Sequence, residues 1–357
     1  METRHMKVLA IDPGSTSTKL GLFDDNKPVY KESLLHDVEE LSRFSTSFEQ
    51  KDFRTQAVLA FLARNNVDLK TIDAVIGRGG IIKPLRAGTY AVNEKMLDDL
   101  KSSLYDHPSN IGAVIALEIA GQIGVPAYIA DPICVDEFED VARISGLKEI
   151  ERPTLSHALN TRATLFKYAK EVHKDVSEIN VIIGHLGGGI SITPIKNGKM
   201  VDTSGASDGG PFSPQRGGGL PTTSLIKFCL RSGMNEKQLL DYVTKKGGLA
   251  SYLSVNDLRK ATEMIDAGNK EARLVVDAMC YQIAKEIGAM ATVLKGTTEA
   301  ILLTGGMAFD KKLISDITER VGWIAPVKVY PGEEELEALA GAALRVLRGE
   351  EQTQEYA

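Results

Sequence analysis

V-L-A-I-D-P-G-S-T-S-T-K, from Val8 to Lys19, joins an apolar strand to a second strand through a turn of small residues. Gly14 permits backbone angles that bring amide groups inward, and the hydroxyl side chains after it add donors. This pattern is typical of a hairpin that holds a phosphate group, although the segment by itself fits a plain turn equally well. The predicted phosphate contacts are Gly14, Ser15, Thr16, Ser17 and Lys19.

Two further glycine turns favour the phosphate interpretation. V-I-I-G-H-L-G-G-G-I-S-I-T (181–193) again joins two strands, and L-T-G-G-M (303–307) follows the apolar run 300–303. Three such turns indicate one nucleotide held from two sides, and no G-x-x-x-x-G-K-[ST] motif is present, so a Walker-type ATPase is disfavoured. The predicted nucleotide contacts in these turns are Gly187, Gly188, Gly189, Gly305 and Gly306.

Composition narrows the functional class. The chain has 357 residues, enough for two domains, and a net charge of -6 without a Lys/Arg block, which argues against a nucleic-acid surface. No apolar run is long enough to span a membrane, and the polar start lacks the apolar core of a signal peptide. Three widely spaced cysteines fit a reducing compartment. We therefore expect a cytoplasmic protein with no nucleic-acid or membrane partner.

The order of elements predicts a duplicated domain. A three-stranded antiparallel opening, helices and short buried strands occur in the first half, and the second half repeats this order from residue 180 onwards. The polar K-E-I-E-R-P (148–153) reads as a junction. The predicted domains are 1–152, joined by a C-terminal helix at 336–349, and 153–335. Asn110 is predicted to cap a helix over 111–123.

Charged residues lie where ligands are expected. Arg78 stands among glycines in Gly77-Arg78-Gly79-Gly80, at the end of a predicted strand, and Arg216 repeats this setting inside the long irregular segment 204–222. Asp131 follows the strand 127–130, and ligands of open α/β sheets gather at the carboxyl ends of strands. The alternatives for these residues are a solvated arginine and a turn carboxylate.

The motifs resemble those of the butyrate kinases, which belong to the acetate kinase branch of the superfamily that contains actin, hexokinase and glycerol kinase. The resemblance covers Val8 to about Glu351, in the family's order, and rests on I-D-P-G-S-T-S-T-K (11–19), G-R-G-G (77–80), H-L-G-G-G (185–189), G-P-F-S-P-Q-R (210–216) and L-T-G-G (303–306). It implies an α/β chain with duplicated ribonuclease-H-like β-β-β-α-β-α-β-α domains around a central cleft. It also implies ATP and Mg²⁺ as cofactors, a short-chain carboxylate as substrate, and a homodimer or higher homo-oligomer.

The resemblance further implies roles for individual residues. Arg78 and Arg216 resemble the paired arginines that hold the carboxylate and the phosphoryl group, and His157 and His185 resemble two histidines that line the transfer site. Asp131 resembles an acidic residue beside the metal. Gly305 and Gly306 resemble the turn under the adenosine, and the implied metal ligands are Asp12, Asp131 and Glu333, with Glu334 as the other candidate for the glutamate.

The chain departs from the family pattern at two positions. Carboxylate kinases usually carry asparagine where Asp12 stands, and they often have phenylalanine where Ser156 precedes His157. The first departure concerns the charge near Mg²⁺ and phosphate, and the second concerns the shape of the acyl pocket. Gly79 and Gly80 replace the bulky aliphatic residues of acetate kinases, which predicts room for a longer acyl chain.

The paired arginines suit a carboxylate acceptor. A short carboxylic acid is ionised at neutral pH, so the reaction needs no general base. It needs relief of charge repulsion and a clamp on the γ-phosphate, which two guanidinium groups supply. Butyrate, isobutyrate, valerate, propionate and acetate all remain candidate substrates. A sugar or glycerol kinase would instead use Asp131 as a base, and an actin-like binding or filament protein would hydrolyse ATP without an acid; both leave the two arginines unexplained.

Overall fold

The structure is a computed structural model of the chain and describes residues 5–103, 106–205 and 209–357. Asp208, in the predicted irregular segment, lies outside the described residues. The chain divides into two compact units, one formed by Met1–Val135 with Glu334–Ala357 and the other by Asp136–Glu333.

The first unit is built on a mixed sheet in the order β3-β2-β1-β4-β6-β5. Its first three strands form antiparallel pairs, whereas β4 and β6 continue the sheet in parallel with β1. The central strands are almost wholly apolar, as expected for strands covered on both faces. The strands are β1 (Lys7–Pro13), β2 (Ser17–Asp24), β3 (Lys27–Leu35), β4 (Ala74–Arg78), β5 (Thr89–Ala91) and β6 (Ala127–Ala130).

Helices α1 (Val38–Leu41), α2 (Lys51–Arg64), α3 (Glu94–Lys101) and α4 (Gly112–Ile123) belong to this unit. Helix α4 ends at Gly124 in the left-handed conformation, the usual C-terminal stop. Its start differs from the prediction, because a 3₁₀ turn over Pro108–Ile111 precedes it and Asn110 caps no helix. The amide oxygen of Asn110 instead accepts a hydrogen bond of 2.9 Å from the backbone N–H of Ile81.

The second unit repeats the arrangement with a sheet in the order β11-β10-β9-β12-β13. Again the first strands pair antiparallel and the last two join in parallel, which confirms the predicted duplication. The elements are α5 (Asp140–Arg143), β7 (Ile144–Leu147), β8 (Ile150–Glu151), α6 (Ala158–Val172), β9 (Val181–Leu186), β10 (Ile190–Lys196), β11 (Lys199–Met200), α7 (Thr222–Arg231), α8 (Glu236–Lys245), α9 (Leu249–Leu253), α10 (Leu258–Asp266), α11 (Lys270–Val293), β12 (Ala300–Gly305), α12 (Lys311–Val321) and β13 (Val327–Pro331).

Helix α11 contributes many residues to the hydrophobic core of the second unit. One face carries Met279, Cys280 and Ile283, which are buried among residues of the sheet and of helix α12. The last helix, α13 (Glu335–Leu347), returns to the first unit and packs on β1. Within the described parts of the chain, none of the helices is long and apolar enough to cross a lipid bilayer.

The division between the units lies earlier than the predicted junction at 152/153. The segment 136–152 belongs to the second unit because its side chains bind there. Glu137 accepts a hydrogen bond of 2.9 Å from the backbone N–H of Met200, and Glu139 pairs with Lys196 at 2.5 Å. The polar composition of 148–153 reflects a surface hairpin of β7 and β8 rather than a linker.

Candidate active site

The loop between β1 and β2 contains the first predicted phosphate contacts. The backbone N–H of Gly14 donates to the carbonyl of Ser17 at 2.8 Å, and the side chains of Ser15 and Thr16 are exposed. Gly14 has no left-handed conformation, and a Cβ there would meet Ser17 Oγ at an ordinary 3.4 Å. Gly14 is therefore dispensable for the turn itself.

A buried arginine that the sequence analysis missed lies behind this loop. Arg54 of helix α2 is fully buried and donates to the carbonyl oxygens of Ser17 at 2.8 Å and Ser15 at 3.3 Å. A signal was available, since Arg54 shares a helical face with the buried residues Val58 and Phe61, and an arginine on an apolar face needs an explanation.

Arg78 lies in a cluster of charges at the end of β4. Its guanidinium forms an ion pair with Glu335 and approaches Asp12 Oδ1 at 3.4 Å, with the arginine side chain 19% exposed. Lys19 Nζ lies 2.7 Å from Glu335 Oε2 and 3.8 Å from Asp12 Oδ2. The sequence motifs predicted Asp12, Lys19 and Arg78 as site residues with separate roles, and they did not predict Glu335, the first residue of α13.

Burial and charge act against each other at this cluster. Burial raises the pKa of Asp12 and the neighbouring Glu335 raises it further, whereas the charges of Arg78 and Lys19 oppose the shift. At Glu335 burial also acts to raise the pKa, but Arg78 and the hydrogen bonds from Asp12 and Lys19 hold that pKa well below its usual range. The charges of Arg78 and Lys19 do not offset burial at Asp12, because the pKa of this carboxyl group remains raised to about 7.

Asp131 stands at the carboxyl end of β6, as predicted, in a strained conformation. Its φ is +40°, in the left-handed region, and its buried carboxylate accepts a hydrogen bond of 2.7 Å from the backbone N–H of Gly88. Such strain in a residue other than glycine persists where the surroundings hold it in place, and it is frequent at functional sites. The geometry fixes the position of one carboxylate oxygen.

Gly79 and Gly80 do not provide the predicted empty space beside Arg78. A Cβ on Gly79 would lie 2.6 Å from Cβ of Pro132, and a Cβ on Gly80 would lie 2.6 Å from Cα of Asn110. The glycines therefore allow other parts of the first unit to approach closely. The prediction that they enlarge an acyl pocket is wrong for this reason.

The two predicted histidines meet in the second unit. Their rings stack with centroids 3.9 Å apart and an angle of 11° between the planes. His157 precedes helix α6 and its Nδ1 lies 2.9 Å from Ser191 Oγ, whereas His185 is buried on β9.

Asn160, which the sequence analysis missed, orients His185. Its Nδ2 donates to the carbonyl of Glu333 at 3.1 Å, so its Oδ1 faces His185 Nδ1 at 2.8 Å and accepts a hydrogen bond from it. Nδ1 of His185 therefore carries a proton, and Nε2 becomes a donor only when the ring is doubly protonated. Nε2 lies 3.6 Å from Glu333 Oε1.

The glycine turn after β9 brings Arg216 to the same strand end. A Cβ on Gly189 would lie 2.5 Å from Arg216 Nη1, so the guanidinium lies directly against the turn. Ser213 supports both segments, because its Oγ donates to the carbonyl of Gly188 at 2.6 Å and accepts from the N–H of Arg216 at 3.1 Å.

A cavity of about 900 Å³ opens beside this turn. It is of the size of a small-molecule site, and its lining includes Gly187, Gly188, Gln215, Gly306, Asp310 and Glu333. Gly305 serves the fold, since its φ is +92° and a Cβ would lie 2.3 Å from the carbonyl oxygen of Leu186. Gly306 faces the cavity, and no atom would contact a Cβ on it.

The three consecutive glutamates at the start of α13 have side chains in different environments. Glu333 lines the cavity of the second unit, Glu334 occupies the N-cap position with a φ of +37°, and Glu335 joins the Arg78 cluster of the first unit. No side-chain cap is formed by Glu334. The sequence offered three equivalent glutamates, and the structure gives each a different environment.

Asp12 and Asp131, the predicted metal ligands of the first unit, are not part of a three-residue ligand cluster among the described residues. Within the described residues, the three His, Cys, Asp or Glu side chains that meet at ligand distance are His5, Asp24 and Asp25, at the surface. Mg²⁺ usually takes one or two carboxylates and completes its shell with waters and substrate phosphates. The buried carboxylates of Asp12 and Asp131 fit that kind of site.

Comparison with known proteins identifies the family. A sequence profile described as the Acetokinase family matches residues 156–321. The chain is 46% identical to a protein named probable butyrate kinase 2 of Caldanaerobacter subterraneus, over 98% of this chain and 99% of that one. It is 45% identical, over the same shares, to butyrate kinase 1 of Clostridium acetobutylicum.

Solved structures agree on the fold. Acetate kinase of Porphyromonas gingivalis superimposes with a TM-score of 0.79 at 18% identity, covering 96% of this chain and 100% of that one. A propionate kinase of Francisella tularensis gives a TM-score of 0.76 at 17% identity, with coverages of 94% and 98%. The fold is therefore that of the acetate and propionate kinases, the actin-like ATPase fold. Because the sequence identity of 45 to 46% extends over nearly the whole chain, the chain belongs to the acetokinase family, in its butyrate kinase group.

Proposed function

We propose that this chain is a butyrate kinase, which transfers the γ-phosphoryl group of ATP reversibly to the carboxylate of butyrate and so forms butyryl phosphate and ADP. Identity of 44 to 46% with named butyrate kinases, over nearly the whole chain, carries the proposal. The acceptor is thus a carboxyl group, and the enzyme is a phosphotransferase.

Arg216 is the proposed clamp on the phosphoryl group. Its guanidinium lies against Gly189, in a glycine turn at a strand end, where phosphate groups are commonly bound. A guanidinium stays charged and forks onto phosphate or carboxylate oxygens with parallel hydrogen bonds. It would neutralise charge on the equatorial oxygens during in-line transfer.

Arg78 is the proposed partner for the substrate carboxylate. In the structure its guanidinium pairs with the carboxylate of Glu335, and a guanidinium binds carboxylates through parallel hydrogen bonds. Asp12 and Lys19 keep the cluster close to charge balance. Because butyrate arrives already ionised, no residue of the cluster needs to act as a base.

The nucleotide is proposed to occupy the cavity of the second unit. Gly187, Gly188 and Gly306 line it without side chains that would obstruct phosphates or the adenosine. The loop of the first unit is proposed separately as a phosphate-binding loop, with Gly14, Ser15, Thr16, Ser17 and Lys19 as its contacts. Gly189 and Gly305 shape the turns beneath.

Asp12, Asp131 and Glu333 are the proposed ligands of Mg²⁺, directly or through water. The ion would neutralise phosphate charge when bound. His185 is proposed to donate from Nε2 to a phosphoryl oxygen when doubly protonated, with His157 stacked against it as support.

A homo-oligomer, dimeric or larger, is part of the proposal. Helices α7 and α8 contain no buried residue, and Ile226, Leu230 and Leu240 are 55%, 83% and 54% exposed. Exposed apolar side chains grouped on two adjacent helices are typical of an interface. Light scattering of the purified protein measures its mass in solution and so tests the proposed homo-oligomer. We also propose that the protein is located in the cytoplasm.

Trapping of the acyl phosphate tests the reaction. The purified chain is given Mg-ATP and hydroxylamine with acetate, propionate, butyrate, isobutyrate, valerate or glycerol, and acyl hydroxamate and ADP are measured. We expect hydroxamate to form fastest with the four-carbon acids, in a graded series because each buried methylene contributes about 0.8 kcal/mol. ADP without hydroxamate, or turnover with glycerol alone, would contradict the proposal.

Substitution of the arginines tests the roles of the site. Arg216→Ala and Arg78→Ala are expected to lower kcat with butyrate by about a thousandfold or more, the scale of an arginine finger. Arg273→Ala, which removes an exposed arginine paired with Asp277, is the matched control and should retain the activity. Near-normal turnover of Arg216→Ala would exclude the proposed clamp.

A further inference from the structure

All the N–H donors of the Arg54 guanidinium form hydrogen bonds with neutral groups. The five N–H groups of the guanidinium bind the carbonyls of Ser15 and Ser17, the hydroxyl of Thr18 at 3.0 Å, and Gln50 Oε1 at 3.1 and 2.8 Å. Within the described parts of the chain, no carboxylate pairs with it. Burial lowers the pKa of Arg54 to about 10, so the group is still cationic at neutral pH.

A buried charge without a counter-ion is costly, so its retention calls for a reason. The acceptors of Arg54 supply one, because two of them are the carbonyls of Ser15 and Ser17 in the first phosphate loop. The third loop carbonyl, of Thr16, accepts the backbone N–H of His36 at 2.9 Å. All three oxygens are thereby engaged on the protein side, while the side chains of Ser15 and Thr16 remain exposed.

We infer that Arg54 is a positioning residue for nucleotide phosphates: it holds the carbonyls of the first loop away from the ligand and supplies positive charge behind the loop. The inference rests on the proposed function insofar as that loop contacts phosphate. Carbonyl oxygens facing a polyanion would repel it, and fixing them inward removes that repulsion. A bound phosphate also supplies the counter-charge that the guanidinium lacks in the protein itself.

Thr18 and His36 extend the network. Because Thr18 Oγ1 accepts from Arg54, its hydroxyl proton is available to His36 Nε2 at 2.8 Å. His36 thus acts as an acceptor and remains neutral beside the cation. Nothing in the network neutralises the charge of Arg54.

Gln50→Glu is the decisive variant. It keeps the shape of the side chain and its two hydrogen bonds but places a carboxylate beside the guanidinium. We expect the thermal stability of the apo protein to be kept or raised, and the Kd for Mg-ADP to rise about ten- to a hundredfold, the loss of one charge-assisted contact. A role of Arg54 in folding alone predicts kept stability with unchanged ADP affinity, and that result would overturn the inference.

Arg54→Lys and Arg54→Gln complete the test, with calorimetric ADP binding and KM for ATP and for butyrate as readouts. We expect Arg54→Gln to raise KM for ATP while KM for butyrate stays constant, and Arg54→Lys to recover part of the loss because it restores the charge. Arg64→Gln, which removes an exposed arginine on the same helix, is the control and should bind ADP normally.

The readouts separate this inference from the proposed reaction. ADP binding is measured without any carboxylic acid, so the measured Kd still reports on Arg54 if butyrate is not the acceptor. Wild-type ADP affinity in Gln50→Glu, with normal butyrate turnover, would overturn the role of Arg54 alone. Absence of acid-dependent turnover in the wild type, with ADP affinity lost in Gln50→Glu, would overturn the reaction alone.

Discussion

Gly189 and Arg216 lie so close that a Cβ on the glycine would be 2.5 Å from Nη1 and 2.6 Å from Cζ of the arginine. The neighbour is the far end of a flexible side chain, so Gly189→Ala should fold but displace the guanidinium. We expect kcat to fall about a hundredfold, the cost of a misplacement of about 1 Å, with little change in Tm.

Steady-state kinetics and thermal unfolding of the same preparation check this prediction. Gly288→Ala, in helix α11, is the control, because no atom lies within 4 Å of a Cβ at that position. Wild-type kcat in Gly189→Ala would mean that the position of Arg216 does not matter to the reaction.

Asn160 determines which nitrogen of His185 faces the site. Asn160→Ala removes the acceptor at Nδ1 and frees the ring to change tautomer and orientation. We expect kcat to fall about a hundredfold, the scale for loss of one transition-state donor, with KM for ATP nearly constant. A larger change in KM than in kcat would instead assign Asn160 to nucleotide binding.

Gly305 and Gly306 are adjacent but serve different purposes. Gly305→Ala places a Cβ 2.3 Å from a backbone oxygen at a φ of +92°, so we expect at least about 2 kcal/mol of destabilisation. Gly306→Ala meets no protein atom and should leave Tm unchanged while raising KM for ATP. Thermal and urea unfolding of both variants give Tm and the free energy of unfolding, and steady-state kinetics give KM for ATP. Equal Tm values for the two variants would contradict the prediction.

His36 gives the first unit a pH-dependent stability. Burial and the charge of Arg54 lower the pKa of His36 from 6.5 to about 4 in the folded protein. Between these values the unfolded chain binds the additional proton, so stability rises with pH from about 4 to 6.5 and this contribution is complete above that range.

His36→Gln keeps an acceptor for Thr18 but no longer titrates. The free energy of unfolding, measured in urea at intervals across this pH range, should depend less on pH in the variant than in the wild type. The same slope in both proteins would show that His36 is not held neutral by the fold.

Local patterns carried much of the prediction. The strands beside the glycine turns, the carboxyl-end position of Asp131 and the existence of a C-terminal helix follow from periodicity and turn chemistry, which neighbouring residues determine. The repeated order of elements predicted a structural duplication, and the resemblance to the butyrate kinases implied the β-β-β-α-β-α-β-α arrangement of each domain.

The missed residues depend on contacts between distant segments. Glu335 meets Arg78, and Asn160 meets His185, across long stretches of chain that no local pattern connects. The prediction of empty space around Gly79 and Gly80 was wrong for the same reason, because Pro132 and Asn110 from other segments fill that space. The position of Arg54 on an apolar helical face could be predicted from the sequence, but its hydrogen bonds to the loop carbonyls of Ser15 and Ser17 could not.

Isotope transfer from the acid to phosphate shows whether the carboxylate itself accepts the phosphoryl group. Butyrate carrying ¹⁸O in both carboxylate oxygens is incubated with the chain, Mg-ATP and hydroxylamine. If a carboxylate oxygen attacks the γ-phosphorus, that oxygen becomes the bridge of butyryl phosphate. Hydroxylamine attacks the carbonyl carbon and expels phosphate that retains the bridge oxygen.

We expect the released inorganic phosphate to carry one ¹⁸O per molecule, read from its ³¹P isotope shift. Unlabelled phosphate formed at the rate of ADP release would mean that water, and not the carboxylate, accepts the phosphoryl group, and would exclude the proposed kinase reaction.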